Sequence, residues 1–93
     1  MVSSRQIRAA RALLGWTQQT LADKAVVAVN SLRAIEAEKP YPRAETVTAV
    51  RRALEKAGVI FLGAGTLGEG VRLAWPEAPA RISRAKPRVT GRG

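Results

Sequence analysis

The chain has 93 residues, with 16 Lys/Arg against 7 Asp/Glu, a formal net charge of +9, and no Cys or His. This length allows one compact domain with a short extension and excludes a multidomain enzyme. Because thiolates, disulfides, imidazole bases and the commonest zinc ligands are all missing, we expect no catalysis, no bound metal and no cofactor. The strong positive charge predicts a polyanionic partner.

The first predicted element is a helix that begins with Ser4 as its N-cap and ends at Gly15. A second helix follows with Thr17 as its cap, and its buried face takes Leu21, Ala22 and Ala25. The apolar stripe of the first helix consists of Ile7, Ala10, Leu13 and Leu14.

A third helix is predicted to begin at about Ala28, with Leu32 and Ile35 facing inward. The turn before it, around Val26 and Val27, is about three residues long, which favours two helices set at a steep angle. The fourth helix is predicted over about residues 44–57, followed by Gly58 as its C′ residue. Its inward positions are Val47, Val50 and Leu54.

After Gly58 the hydrophobic period changes from that of a helix to that of a strand. The run of residues 59–62 and the alternation of Val71, Leu73 and Trp75 flank a glycine-rich stretch, which predicts a two-stranded hairpin. Because an isolated hairpin is only marginally stable in water, it must either pack on the helices or pair with a second subunit. The second arrangement would make a dimer.

The last sixteen residues, 78–93, carry five Lys/Arg and no acid, which is typical of a flexible basic tail. Such a tail either only raises solubility or, as a flexible arm, adds contacts to the phosphates or the minor groove of a nucleic acid. The predicted fold is therefore mainly α, with a four- to five-helix domain over residues 1–62, a hairpin extension over 63–77 and the tail over 78–93. The hairpin is the candidate dimer element.

The segment of residues 15–36 carries the strongest motif of the chain. A small polar residue and Gln18 open the second helix, a Leu-Ala pair lies inside it, and Leu32-x-x-Ile35-Glu36 closes the third helix. With its flanking helices, this segment resembles the helix-turn-helix of the lambda-repressor-like, or XRE-type, DNA-binding family. The resemblance covers about residues 3–58 and implies a lambda-repressor-like fold.

The resemblance implies that the third helix reads bases in the major groove. Asn30 suits adenine, Arg33 suits guanine, and Val29 suits a thymine methyl group, with Ala34 on the same face. The alternative is that Asn30 and Arg33 are merely solvated.

The resemblance also implies contacts outside the third helix. Thr17 and Gln18, at the start of the second helix, and the loop residues Lys39 and Arg43 would contact DNA phosphates. Arg11 and Glu36 match positions that pair between helices one and three in relatives, so we expect a structural ion pair. For Gln18, Lys39 and Arg43 the alternative is again an exposed residue without a role.

Three positions depart from the family's usual pattern. Val26 and Glu38 stand where relatives usually carry Gly, and Ala28 stands where they carry a Ser or Thr cap. Either the turn at Val26 has another geometry or it costs stability, because a β-branched residue is strained at positive φ. The missing cap predicts a less stable third helix.

Together these features predict a sequence-specific regulator of transcription that binds double-stranded DNA. We expect a repressor that binds an inverted repeat as a homodimer, in a bacterial or phage-type protein that is cytoplasmic and nucleoid-associated. No apolar run is long enough to span a membrane, and no small-molecule substrate is expected. The alternative is an adaptor, such as an antitoxin or antiactivator, that uses the same fold to bind a protein partner.

Overall fold

The structure is a computed structural model that describes residues 2–63, 65 and 68–74. It confirms a mainly helical fold with a short antiparallel hairpin. None of the described helices is both long and apolar enough to cross a membrane. Trp75 and the predicted basic tail lie outside the described residues. The elements are α1 (Ser4–Leu14), α2 (Gln18–Ala25), α3 (Val29–Glu36), α4 (Ala44–Lys56), β1 (Val59–Leu62) and β2 (Gly70–Leu73).

The cap of α1 is Ser3, so the prediction of Ser4 was wrong by one residue. Ser3 Oγ accepts a hydrogen bond from the Gln6 amide at 3.1 Å, and Gln6 Oε1 accepts one from the Ser3 amide at 2.9 Å. This reciprocal capping box requires a polar side chain three residues after the cap. Ser4 as cap would place the apolar Ile7 there, whereas Ser3 places Gln6 there.

The core lies where the four helices and the first strand meet. Leu13 does not take part, because its side chain is 41% exposed, and Ala25 is only half-buried. Successive residues of an α-helix point about 100° apart, and here this rotation turns Leu13 away from the core. Leu14 packs against the core instead. The buried apolar residues are Ile7, Ala10, Leu21, Ala22, Leu32, Ile35, Val47, Val50, Leu54 and Val59.

The turn between α2 and α3 has the left-handed geometry that normally takes glycine. Val26 has φ 58° and ψ 50°, and Glu38, after α3, has φ 60°. Of the two alternatives for Val26, the chain therefore adopts the strained one, which costs roughly 1–2 kcal/mol for a residue with a Cβ. Ala28 provides no side-chain hydrogen bond to the start of α3. The third helix thus has a strained turn at each end and no cap.

The hairpin packs on the helices of its own chain, with β2 against α1 and β1 against α4. Val59 pairs with Leu73, and Leu62 pairs with Gly70 at the other end. Gln6 Nε2 donates to the carbonyl oxygens of both Leu62 and Gly70, each at 2.9 Å. The first strand lies inside the range assigned to the helical domain, so the division predicted after residue 62 runs through the hairpin.

A second set of contacts joins the hairpin to the first turn of α1. Glu69 Oε2 accepts hydrogen bonds from Arg5 Nε at 2.7 Å and from Ser3 Oγ at 2.9 Å. These bonds, that of Arg5 foremost, lower the pKa of the Glu69 carboxyl below its ordinary value. Hydrogen bonds from Ser3 and Arg5 to Glu69 therefore join the first turn of α1 to the hairpin.

Candidate nucleic-acid interface

The outward face of α3 presents the two residues predicted to read bases. Asn30 and Arg33 are exposed, whereas Leu32, Ile35 and Glu36 are buried. This division follows from the helical period, because the three buried residues lie along one side and Asn30 lies opposite. Two further predicted contacts are less accessible: Val29 packs partly against the core and Ala34 is half-buried.

Asn30 and Arg33 are bonded to each other across one turn of the helix. Arg33 Nη1 donates a hydrogen bond to Asn30 Oδ1 at 3.0 Å. An amide oxygen has two lone pairs, so Oδ1 still has one free, and Asn30 keeps both N–H donors. The contact orients the two side chains and leaves each with groups that match base edges.

Glu36 joins α3 to the two preceding helices. Its Oε2 accepts from Arg11 Nε at 2.7 Å, and its Oε1 accepts from Arg11 Nη2 at 2.8 Å and from Gln18 Nε2 at 3.0 Å. The Glu36 side chain is 3% exposed and that of Arg11 is 20% exposed. The bonds to Glu36 are the main cause of a raised pKa of the Arg11 guanidinium. The structure thus brings Arg11 and Glu36, the two residues of the predicted ion pair, together in a bidentate salt bridge.

Arg8 adds a contact between α1 and the end of α3. Its Nη1 donates to the carbonyl oxygen of Glu36, and its guanidinium lies 4.0 Å from the Glu38 carboxylate. Carbonyl groups at a helix end lack partners within the helix, so a cation there stabilises the terminus. The orientation of α3 is therefore set at its C-terminal end by α1.

The predicted phosphate contacts in α2 have local partners in this structure. Thr17 Oγ1 accepts from the Thr20 amide at 3.0 Å and so caps the helix, and it also donates to Thr20 Oγ1. One amide hydrogen of Gln18 is bonded to Glu36, which leaves its other hydrogen for an outside group. Of the two, Gln18 retains the more obvious capacity to bind a phosphate.

The loop after α3 carries the remaining predicted contacts. Lys39 and Arg43 are exposed and line a shallow hollow of about 190 Å³, which Ala34 and Ser31 of α3 also line. Within residues 2–63, 65 and 68–74, no carboxylate forms a salt bridge with either cation. Both cations therefore lie beside the outward face of α3 with their charge unneutralised.

A family model described as helix-turn-helix matches residues 7–58, more than half of the chain. The chain belongs to the lambda-repressor/XRE-type helix-turn-helix family. This family consists of DNA-binding regulators of transcription, and α2 and α3 form its helix-turn-helix in this chain. Among curated proteins, none matches the sequence.

Two exposed residues of this helix-turn-helix protein were missed by the sequence reasoning. Ser31 is exposed on α3, and Tyr41 is 96% exposed with φ 60°. The signal that could have revealed Tyr41 is its place between Pro40 and Pro42, because two prolines so close together interrupt helices and strands and so mark a loop. Both residues line the hollow that Lys39 and Arg43 also line.

Three carboxylates in the described part of the chain are hydrogen-bonded to arginines. Glu36, Glu55 and Glu69 accept from arginine Nε atoms at 2.7–2.9 Å. No group of His, Cys, Asp and Glu residues within the described chain could hold a metal ion. Beside α3, Arg33, Lys39 and Arg43 are exposed cations, which is the charge that binding to a phosphate backbone requires.

Proposed function

We propose that the chain is a sequence-specific repressor of transcription that binds double-stranded DNA through α3. The observation that carries this proposal is the exposed Asn30–Arg33 pair on a helix whose opposite side is anchored by the buried Glu36–Arg11 contact. Side chains that read bases need a rigid support, because small errors in position lose the hydrogen bonds that discriminate between bases. Repression follows most simply from occupying a site that the polymerase needs.

Each predicted site residue has a role in the proposal. Arg33 reads guanine and Asn30 reads adenine, while Val29 and Ala34 give apolar contact to thymine methyl groups. Phosphates on either side of the groove are bound from α2 and from the loop after α3. The phosphate-binding residues are Thr17, Gln18, Lys39 and Arg43.

We further propose that two copies bind an inverted repeat. A helix of eight residues reaches only a few base pairs, and a second copy doubles the number of bases read. Two-fold symmetry would place the two recognition helices about 34 Å apart, one turn of DNA. The hairpin is the candidate contact between copies, because its Leu62 is 37% exposed. A cytoplasmic, nucleoid-associated location accords with this role.

The first experiment is selection of bound sites from a random duplex library with the full chain, followed by band-shift titration of the enriched site. We expect Arg33→Ala to weaken binding about 10- to 100-fold and to relax the preference at one base position. Arg52→Ala is the matched control, because Arg52 is an exposed arginine on α4 outside the proposed contacts. It should change the affinity less than about threefold.

Salt dependence separates phosphate contacts from base contacts. If about six phosphates are neutralised, log K should fall with log salt with a slope near −5. Lys39→Ala should reduce the slope by about 1 and weaken all sequences alike. Failure to enrich any site, or an affinity independent of salt, would overturn the proposal.

A further inference from the structure

Two neighbouring hollows lie between the C-terminal turns of α2 and α4 and the start of the hairpin. One has a volume of about 300 Å³ and the other about 320 Å³, and they share Lys56 and Ala57. No residue of α3 lines either hollow. We call the region the α2–α4 surface and define it by Trp16, Lys24, Ala53, Lys56, Ala57 and Ile60.

The α2–α4 surface combines an apolar floor with cations at its rim. Lys24 Nζ lies 5.4 Å from the centre of the Trp16 ring, and both Lys24 and Lys56 are exposed. In the part of the chain that the structure describes, neither lysine forms a salt bridge. Among the described residues that line the two hollows, Glu55 carries the one carboxylate, which is bonded to Arg51 Nε at 2.9 Å. Two lysines without a salt bridge in the described chain therefore lie beside half-buried apolar groups.

We propose that the α2–α4 surface binds an acidic segment of a partner protein that also carries apolar side chains. A carboxylate can pair with Lys24 or Lys56, while an apolar side chain fills a hollow against Trp16 or Ile60. Interfaces commonly join an apolar centre to a charged rim in this way, and complementary charge speeds association and selects the partner. This inference is independent of the proposed reading of DNA by α3.

Charge and shape argue against two other occupants. In a symmetric contact between copies of this chain, the same patch meets itself, so lysines would oppose lysines. The phosphates of a DNA backbone could pair with the two lysines. They offer no apolar group, however, to pack against the Trp16 indole and the methyl groups of Ala53 and Ala57.

The test is titration of the isotope-labelled full chain with a synthetic peptide, followed by two-dimensional amide NMR. The probe is a short, acetylated peptide in which glutamates alternate with leucines and one phenylalanine stands at the centre. We expect shifts concentrated on Lys24, Ala53, Lys56 and Ala57, and little change on α3. A peptide with glutamine in place of each glutamate should bind at least about tenfold more weakly.

Charge reversal identifies the surface. The double variant Lys24→Glu, Lys56→Glu should weaken peptide binding about tenfold or more, whereas Arg52→Glu, elsewhere on α4, should weaken it less than about threefold. Both lysines are exposed, so the fold should persist, which helical circular dichroism checks. The proposal is overturned if the shifts fall on α3, if Arg52→Glu has an equal effect, or if the peptide does not bind. Duplex DNA or a second copy producing the same shifts in preference to the peptide would also overturn it.

Discussion

The guanidinium of Arg11 donates two hydrogen bonds to the carboxylate of Glu36, at 2.7 and 2.8 Å, and so ties α1 to the buried side of α3. The remaining Nη1 of Arg11 donates to the Trp16 carbonyl oxygen at 3.0 Å. A planar guanidinium that donates to three acceptor oxygens in fixed directions determines orientation as well as distance. The outward face of α3 is therefore positioned by contacts on its inward face.

We predict that Glu36→Ala lowers the free energy of unfolding by about 3 kcal/mol, because it leaves the partly buried Arg11 guanidinium without its carboxylate. Chemical denaturation monitored by circular dichroism measures the change. The matched control is Glu55→Ala, which removes a carboxylate at a similar distance, 2.9 Å, from an arginine on the exposed side of α4. That change should cost less than about 0.5 kcal/mol. Equal losses in the two variants would contradict a structural role for the Arg11–Glu36 pair.

We predict that Val26→Gly stabilises the chain by about 0.5–1 kcal/mol. The left-handed backbone at φ 58° strains valine and not glycine, and the 88% exposed side chain contributes little to the core. Thermal unfolding should show a Tm about 3–6 °C higher. The reverse exchange, Gly15→Val, tests the same physics at φ 69°, where no atom crowds a new Cβ. Gly15→Val should lower the Tm, and a higher Tm in this variant would contradict the argument.

Ala28→Ser should add the cap that α3 lacks. Residue 28 has the extended backbone of an N-cap, φ −67° and ψ 136°, so a serine oxygen there can accept from the first turn. We expect about 1 kcal/mol of added stability and slower hydrogen exchange of the α3 amides. Ala37→Ser, at the opposite end of α3, provides no such bond and serves as the control. Equal slowing of exchange in both variants would show that capping is not the cause.

The contact of Arg5 with Glu69 should make hairpin docking sensitive to acid. The hydrogen bond from Arg5 lowers the pKa of Glu69 in the folded chain, so the ionised carboxylate favours folding above the ordinary carboxyl pKa of about 4.3. That contribution is lost as the pH falls through the lowered value. We expect Glu69→Gln to melt below the parent chain at pH 7, and the two melting temperatures to converge in acid. A difference in Tm that persists in strong acid would contradict the assignment.

Local signals in the sequence predicted the element boundaries well. The Thr17 cap, the glycines at 15 and 58 and the change of period after α4 all depend on neighbouring residues, so they can be read without a structure. The prediction of Ser4 as the cap was wrong because a capping box depends on the residue three positions after the cap as well as on the cap itself. The prediction that Leu13 lies on the buried stripe of the first helix was wrong because Leu13 is apolar and adjacent to that stripe but not on it.

Features that join distant parts of the chain could not be predicted in the same way. The buried Gln6 finds its acceptors 56 and 64 residues further along the chain, and no local pattern marks such a partner. The hydrogen bond from Gln18 to Glu36 could not be predicted either, because the two residues are 18 positions apart. Arg11 and Glu36 were matched only through the family resemblance. The base and phosphate contacts stay predictions, since they depend on DNA.

The Gln6 side chain also determines where the chain can be cut. A fragment that ends at residue 62 keeps the first strand but removes its partner, and it leaves the Gln6 amide with one of its two carbonyl acceptors. Val59, buried in the core, would then lie on a strand without cross-strand bonds. The smallest fragment that retains every one of these contacts ends at Ala74, whose amide donates to the Gly58 carbonyl oxygen at 2.8 Å. The hairpin is in this sense part of the DNA-binding domain and not an appendage to it.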